Sequence, residues 1–210
     1  MVSKVGVAIV GALGAGTVSY VGYEYLFNAK EEQRKVTIGE ELSSFLLNTE
    51  SSEKWAARKN KLSQASDSSL VEELKSLKSG ITEAQVKNWC SIASTKVYSE
   101  VSSLYLENVR SYCTFHNEDK LPSGYIKSTE SWDPANERLK KVNPDTGLSS
   151  HMKDVKDKLS KKDSSDANAL KNWCVGVYEK PYLGEENQDF QDAKTYCSKV
   201  VESTTSVPTQ

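Results

Sequence analysis

The chain has 210 residues, 37% hydrophobic and 27% charged, a balance that suits a folded body and excludes wholesale disorder. Its formal net charge is −2 and its few arginines are scattered, so the clustered positive charge that nucleic acid demands is missing. One or two small domains fit this length.

From Val5 to Tyr23 every residue is apolar, small, Ser, Thr or Tyr, with Lys4 before the stretch and Glu24 after it. A helix of that length, rising about 1.5 Å per residue, crosses roughly 30 Å of hydrocarbon, so residues 1–27 are expected to form an N-terminal transmembrane helix. Small residues four apart (Ala8, Ala12, Gly16, and Gly11, Ala15, Ser19) offer faces on which two such helices could approach closely. A cleaved signal peptide is the alternative, because Ala12 and Gly14 stand at cleavage-like spacing. A nucleotide-binding loop is not: residues 11–16 are neither GxGxxG nor GK[ST], and no strand, turn and helix follow. Orientation is open. Lys30, Arg34 and Lys35 after the segment point to a cytoplasmic body, whereas four cysteines in matched pairs point to an oxidising exterior, the orientation expected here.

Residues 28–48 then read as a charged connector and a membrane-proximal helix carrying Leu42, Phe45, Leu46 and Leu47 from Glu40 onward. A first helical repeat is expected over 49–120. Its opening helix starts near Glu53 with Trp55, Ala56 and Leu62; Ser69 with Glu72 opens a short helix that Gly80 ends; Thr82 with Gln85 forms a capping box, with Ile81 and Val86 as a staple. A second repeat is expected over 121–200. Asp133-Pro134 opens its first helix, Asp166 caps at the place of Thr82, Pro181 and Gly184 break the chain, and Asn187 or Asp189 caps a return helix. Trp55, Lys61 and Leu62 match Trp132, Arg138 and Leu139 at an offset of 77, while the cysteine motifs match at 84. The additional residues are therefore placed in the turn-rich stretch Asn143–Gly147. Residues 201–210 read as a disordered tail.

The repeat itself is written around the cysteines. Lys87-Asn88-Trp89-Cys90 leads to Tyr112-Cys113, and Lys171-Asn172-Trp173-Cys174 leads to Tyr196-Cys197, with Lys96 and Tyr98 matched by Lys180 and Tyr182. Two antiparallel helices on either side of a central break bring the cysteines of each copy to similar heights, so bridges Cys90–Cys113 and Cys174–Cys197 are expected. Reduced, buried cysteines and a pairing across the copies stay open as alternatives. Trp89, Trp173, Tyr112 and Tyr196, beside the cysteines, are expected to wall a small core. The fold class is thus all-α: a transmembrane helix followed by two duplicated units, each with a disulfide-linked helical hairpin.

No chemistry-bearing pattern stands out, so no catalytic, cofactor-binding or metal residue is assigned. His116 and His151 lie outside the matched positions, and neither CxxC nor HxxxH spacing is present for zinc or thiol redox work. Asn143, Asp145 and Asp154 lack the late Glu of a calcium loop, and neither GxSxG nor SxxK is present. Glu31-Glu32, Glu72-Glu73 and Glu185-Glu186 read as solvated helix faces.

The glycine-rich hydrophobic segment Val5–Phe27, the Lys- and Ser-rich body and the Asn-Trp-Cys and Tyr-Cys motifs together resemble uncharacterised paralogous proteins of haemotropic mycoplasmas. That resemblance implies a membrane or exported protein involved in host contact or antigenic diversification, with a host-surface protein as partner, and it carries over no functional residue. The function expected is a non-enzymatic, membrane-anchored surface protein. A cytoplasm-facing membrane scaffold with reduced cysteines and an unrecognised thiol-dependent enzyme are the alternatives.

Overall fold

The computed structural model describes residues 34–199; the expected membrane helix and the tail lie outside them. Among the described residues the architecture is helical, with isolated bridges but no strand, and no helix is long and apolar enough to cross a membrane. In chain order the helices are α1 (Ile38–Glu41), α2 (Ser52–Gln64), α3 (Glu72–Lys78), α4 (Glu83–Ser94), α5 (Ser103–Cys113), α6 (Asp133–Lys140), α7 (Ser150–Ser160), α8 (Ala169–Tyr178) and α9 (Gln188–Tyr196).

Local chemistry sets several of these boundaries. Thr82 Oγ1 accepts from the Gln85 amide while Gln85 Oε1 accepts from the Thr82 amide, so both orphan donors at the start of α4 are met, and Ile81 and Val86 beside them are buried. Gly80, at φ 74°, makes the left-handed turn after α3 that a Cβ would oppose. Asn187 Oδ1 accepts from the Phe190 amide and opens α9. Elsewhere the boundaries depart from expectation. Ser69 does not cap α3; it lies in a 3-10 turn, and Val71 is the cap residue. Asp166 turns the chain by accepting from the amide of Asn168, which is the cap residue of α8, and itself stands three residues before the helix begins. The helix expected from Glu40 to Leu47 is also shorter than its apolar residues promised. The Thr37–Glu40 capping box starts α1, but the helix ends at Glu41, because residues 45–47 are drawn into extended pairing with residues 113–115.

That pairing reveals how far the duplication reaches. In the first half Leu47 donates its amide to the Cys113 carbonyl (2.8 Å), Tyr98 donates to Val36, and Ile38 donates to Lys96. In the second half Ile126 donates to Cys197 (2.8 Å), Tyr182 donates to Phe115, and Asn117 donates to Lys180. The bridges Thr37–Val97 and Leu46–Thr114 likewise recur as His116–Pro181 and Tyr125–Ser198. Each half therefore begins with a short segment clamped to the middle and end of its own cysteine hairpin. Segment 36–47 is the first part of the first half, and 115–126 is its counterpart. Phe115 belongs to both: its N–H donates to the Phe45 carbonyl in the first half, and its C=O accepts from Tyr182 in the second.

Two hydrophobic cores follow from the two halves. In the first, Trp55 and Leu62 on α2 lie against α4 and α5 with Val86, Ala93, Val109 and Tyr112, while Trp89 meets Tyr105 at 5.5 Å between ring centroids. In the second, Trp132, Ala135 and Leu139 repeat the burial spacing of 55, 58 and 62, and pack with Met152, Leu170, Val177 and Phe190. Each core is closed by one disulfide, Cys90–Cys113 and Cys174–Cys197, with Cα atoms 5.5 and 5.8 Å apart. In the chain-entropy model a loop of this size stabilises the folded state by about 3.4 kcal/mol. Trp89 and Tyr112 are buried beside the first bridge, and Trp173 and Tyr196 pack half-buried on the second core.

The buried polar residues repeat as well. Asn108 on α5 and Asp192 on α9 stand 84 positions apart, both almost fully buried. Asn108 accepts from the amide of Val71, the cap residue of α3, and Asp192 accepts from the hydroxyl of Ser149, the cap residue of α7. With these caps aligned, Leu70 and Leu74 correspond to Leu148 and Met152 at an offset of 78, and the turn Asp145–Gly147 matches Asp67–Ser69. Of the second half's seven additional residues, only one therefore falls between Leu139 and Asp145, where the offset passes from 77 to 78. The other six lengthen α7 and the turn after it.

Candidate functional site

Where the two halves meet, the residues around Phe115 carry a concentration of buried charge. Arg58 projects from the middle of α2, between Trp55 and Leu62, and is 1% exposed. A buried guanidinium needs acceptors for its fixed fork of donors. Arg58 Nε and Nη2 donate to the Thr114 carbonyl (3.3 and 3.2 Å), and Nη2 also donates to Asp119 Oδ2. Asp119 accepts in turn from the His116 amide (2.8 Å), which holds the 3-10 turn Asn117–Asp119 against α2. Burial lowers the Arg58 pKa, and Asp119 opposes that shift; an arginine starting so high stays charged. Arg138, on α6, plays a related part by donating to the carbonyls of Tyr196 and Ser198, so both halves use an arginine to hold the chain just after the second cysteine.

Around this pair lies an open cleft of about 720 Å³. One wall is α2, with Ala57, Asn60, Lys61 and Gln64; the other is α5, with Glu107, Ser111 and Tyr112; His116, Glu118 and Glu179 from the second half border it. Lys61 reaches across the junction and donates to the Glu179 carbonyl (2.6 Å), and Asn117 donates to the Val177 carbonyl at the end of α8 (2.9 Å). Lys61 to the Glu179 carbonyl and Arg58 to Asp119 thus join the halves by side-chain bonds as well as by the chain itself, while the Asn117 bond ties the opening turn of the second half to its own α8.

The electrostatics of the cleft follow from partial burial. His116 is 1% exposed, and its Nε2 lies 2.9 Å from the Ser111 carbonyl. Desolvation, then the charges of Arg58 and Lys61, push its pKa down to about 3 against the pull of the Ser111 carbonyl, so the ring is neutral at ordinary pH. A carbonyl can only accept, so the proton sits on Nε2 and Nδ1 is left as the acceptor that the capping box with the Asp119 amide uses. Glu118 is pushed up from the usual carboxylate range by burial and then by Asp119, and Lys61 is pushed down, again chiefly by burial.

Among the described residues no hydrogen bond joins a histidine to a serine, threonine or cysteine side chain, so no nucleophile and base are paired. All four cysteines are in disulfides. No group of three His, Cys, Asp or Glu side chains among the described residues converges on a point that could hold a metal ion. His151, the other histidine, is exposed and meets Asp189 (3.0 Å), which also takes Lys180 (2.8 Å).

Sequence reasoning did not find this cleft. Arg58 and Asp119 are 61 positions apart and belong to no motif, and a lone arginine in a lysine-rich helix gives no sign that it is buried. No family model, curated protein or solved structure matches the chain.

Proposed function

We propose that the chain is a non-enzymatic surface module, held at a membrane by its N-terminal hydrophobic segment and exposing its two disulfide-closed halves to the exterior, where it contacts a host-cell surface protein. The observation that carries this reading is that all four cysteines are consumed in two bridges of the same span, each beside a tryptophan at the edge of a small core. Small cores gain most from such cross-links, and the bridges persist where the medium is oxidising. The hydrophobic stretch Val5–Tyr23 supports tethering, and the resemblance to the paralogous mycoplasma proteins supports contact with host cells. The test is binding of the recombinant, oxidised body to erythrocyte membranes. Saturable binding above that of an unrelated disulfide-containing helical protein is expected; binding no greater than that control removes the host-contact function.

A further inference from the structure

The two cysteine hairpins carry a cation and a phenol at matching places, and only the second holds the carboxylate that goes with them. There Lys194 Nζ lies 2.9 Å from Glu185 Oε2, and the Tyr182 hydroxyl donates to Glu185 Oε1 (3.0 Å). Lys194 and then Tyr182 hold the Glu185 carboxyl below its usual range. In the first hairpin, at the 84-residue offset of the cysteine motifs, the same three places are taken by Arg110, Tyr98 and Val101. Arg110 Nη2 donates to the Tyr98 hydroxyl (3.2 Å), the Val101 side chain cannot accept, and the neighbouring Glu100 is paired with Lys35. Among the described residues Arg110 forms no ion pair and the Tyr98 O–H has no acceptor. A guanidinium fork and a phenol O–H are thus left without the anion that their counterparts hold.

Arg110 and Tyr98 line a slot of about 180 Å³ whose apolar walls are Leu42, Phe45, Tyr182 and Leu183, with Glu41 also bordering it. The Phe45 and Tyr182 rings stand 6.0 Å apart between centroids, and Leu183 is 55% exposed. At about 30 Å³ per water the space equals roughly six waters, room for one small molecule and less than a drug-sized ligand needs. We propose that this slot binds a small carboxylate bearing one apolar group, with Arg110 and Tyr98 holding the carboxylate and Phe45, Tyr182 and Leu183 covering the apolar part. Arginine meets a carboxylate through two parallel N–H bonds, a fit that the lysine of the second half cannot match. A cation, metallic or organic, would meet the Arg110 charge at the same place, and a phosphate would bring a second negative charge toward Glu41. The carboxylate is that of a free apolar amino acid or of the last residue of a peptide; Glu41 favours the first, whose ammonium it attracts. The inference goes beyond the surface-module reading and is independent of it, so either can fail alone.

The test is a calorimetric titration of the full chain, in detergent and with cysteines oxidised, with leucine and separately with N-acetyl-leucine, each against leucinamide, which keeps the side chain and lacks the carboxylate. Saturable binding of a carboxylate is expected, with leucinamide weaker by about tenfold or more. The tighter ligand identifies the source: leucine a free amino acid, N-acetyl-leucine the end of a peptide. Arg110→Gln should weaken binding about tenfold, and Glu137→Gln on α6 should leave it unchanged. Val101→Glu is the sharper variant, because it places a carboxylate where Glu185 stands in the second half and should abolish binding with Arg110 and Tyr98 intact. It and the leucinamide comparison keep the test decisive if Arg110→Gln fails to fold. No saturation with either carboxylate, leucinamide binding as tightly as leucine and N-acetyl-leucine, or a Val101→Glu chain that binds as tightly as the parent would each overturn the proposal.

Discussion

Replacing Asp119 by asparagine keeps the shape of the side chain and removes its charge. In the folded protein Asp119 neutralises an arginine that is 1% exposed and accepts the His116 amide, with the Lys54 ammonium 3.7 Å away. Removing one partner of a buried pair generally costs about 3–5 kcal/mol, because the remaining charge stays desolvated. An amide oxygen still accepts one bond, so Asp119→Asn is expected near the lower limit, about 3 kcal/mol, roughly a hundredfold in the folded-to-unfolded ratio. Arg58→Met should cost a similar amount. The double variant should cost clearly less than the sum, with a coupling of about 1.5 kcal/mol or more, since each single change already destroys the same interaction. Urea unfolding followed by circular dichroism measures all four corners of the cycle. A loss under 0.5 kcal/mol for Asp119→Asn, or additive single effects, would refute the claim that this pair fastens the first half to the turn that opens the second.

Replacing Cys174 and Cys197 together by alanine should lower stability by about 3.4 kcal/mol, and the same change at Cys90 and Cys113 by a similar amount, because the loops are equal in span; denaturant midpoints on matched samples check this. His116 is expected to give a pH dependence with a definite sign. Its folded pKa, about 3, lies below the unfolded value near 6.5, so its contribution is fully present above the unfolded pKa and falls by about 1.4 kcal/mol per unit as pH drops through that window. Glu118, pushed up, works in the opposite sense just above the ordinary carboxylate range, so the comparison is between the slopes of the parent and of His116→Gln, the variant's being shallower by about one proton. An unchanged slope would contradict the burial argument. Trp55 donates Nε1–H to the Asn48 carbonyl (2.8 Å), whereas the buried Nε1 of its counterpart Trp132 has no partner. Trp55→Phe should therefore cost about 1 kcal/mol more than Trp132→Phe in thermal unfolding, and equal costs would tell against the assigned bonds.

The parts of this fold that were legible in the sequence are those written in side chains. The Asn-Trp-Cys and Tyr-Cys motifs, the Thr82–Gln85 box, the Asn187 cap and the turn at Gly80 all depend on particular residue types, and each leaves its mark in the chain. The opening segments are different. Val36, Thr37 and Ile38 correspond to Phe115, His116 and Asn117, and none of the three pairs is identical. What repeats there is a set of backbone hydrogen bonds, available to almost any residue, so the repeat is conserved in geometry while its letters drift. The same reason explains the missed length difference: Asn143–Gly147 is rich in turn residues, yet an equivalent 3-10 turn built from Asp67, Ser68 and Ser69 exists in the first half. The cleft was invisible for a further reason. Its chemistry depends on burying Arg58 and His116, and burial at a junction between halves is set by residues about 60 positions away.

Lysines 96 and 180 show how one retained residue serves two local solutions. Each meets the position nine residues on: Lys96 lies 4.2 Å from the Tyr105 ring, and Lys180 lies 2.8 Å from an oxygen of Asp189. A cation over an aromatic face and an exposed ion pair are each worth no more than about 1 kcal/mol. The position could therefore change partner without cost to the unit.

The most direct test of an exterior body closed by one bridge in each half is cysteine labelling in intact cells with a membrane-impermeant thiol reagent, before and after an impermeant reductant, followed by peptide mapping. The account predicts labelling only after reduction, with Cys90 linked to Cys113 and Cys174 to Cys197 in the unreduced sample. Free thiols that react only after the cells are lysed would contradict it.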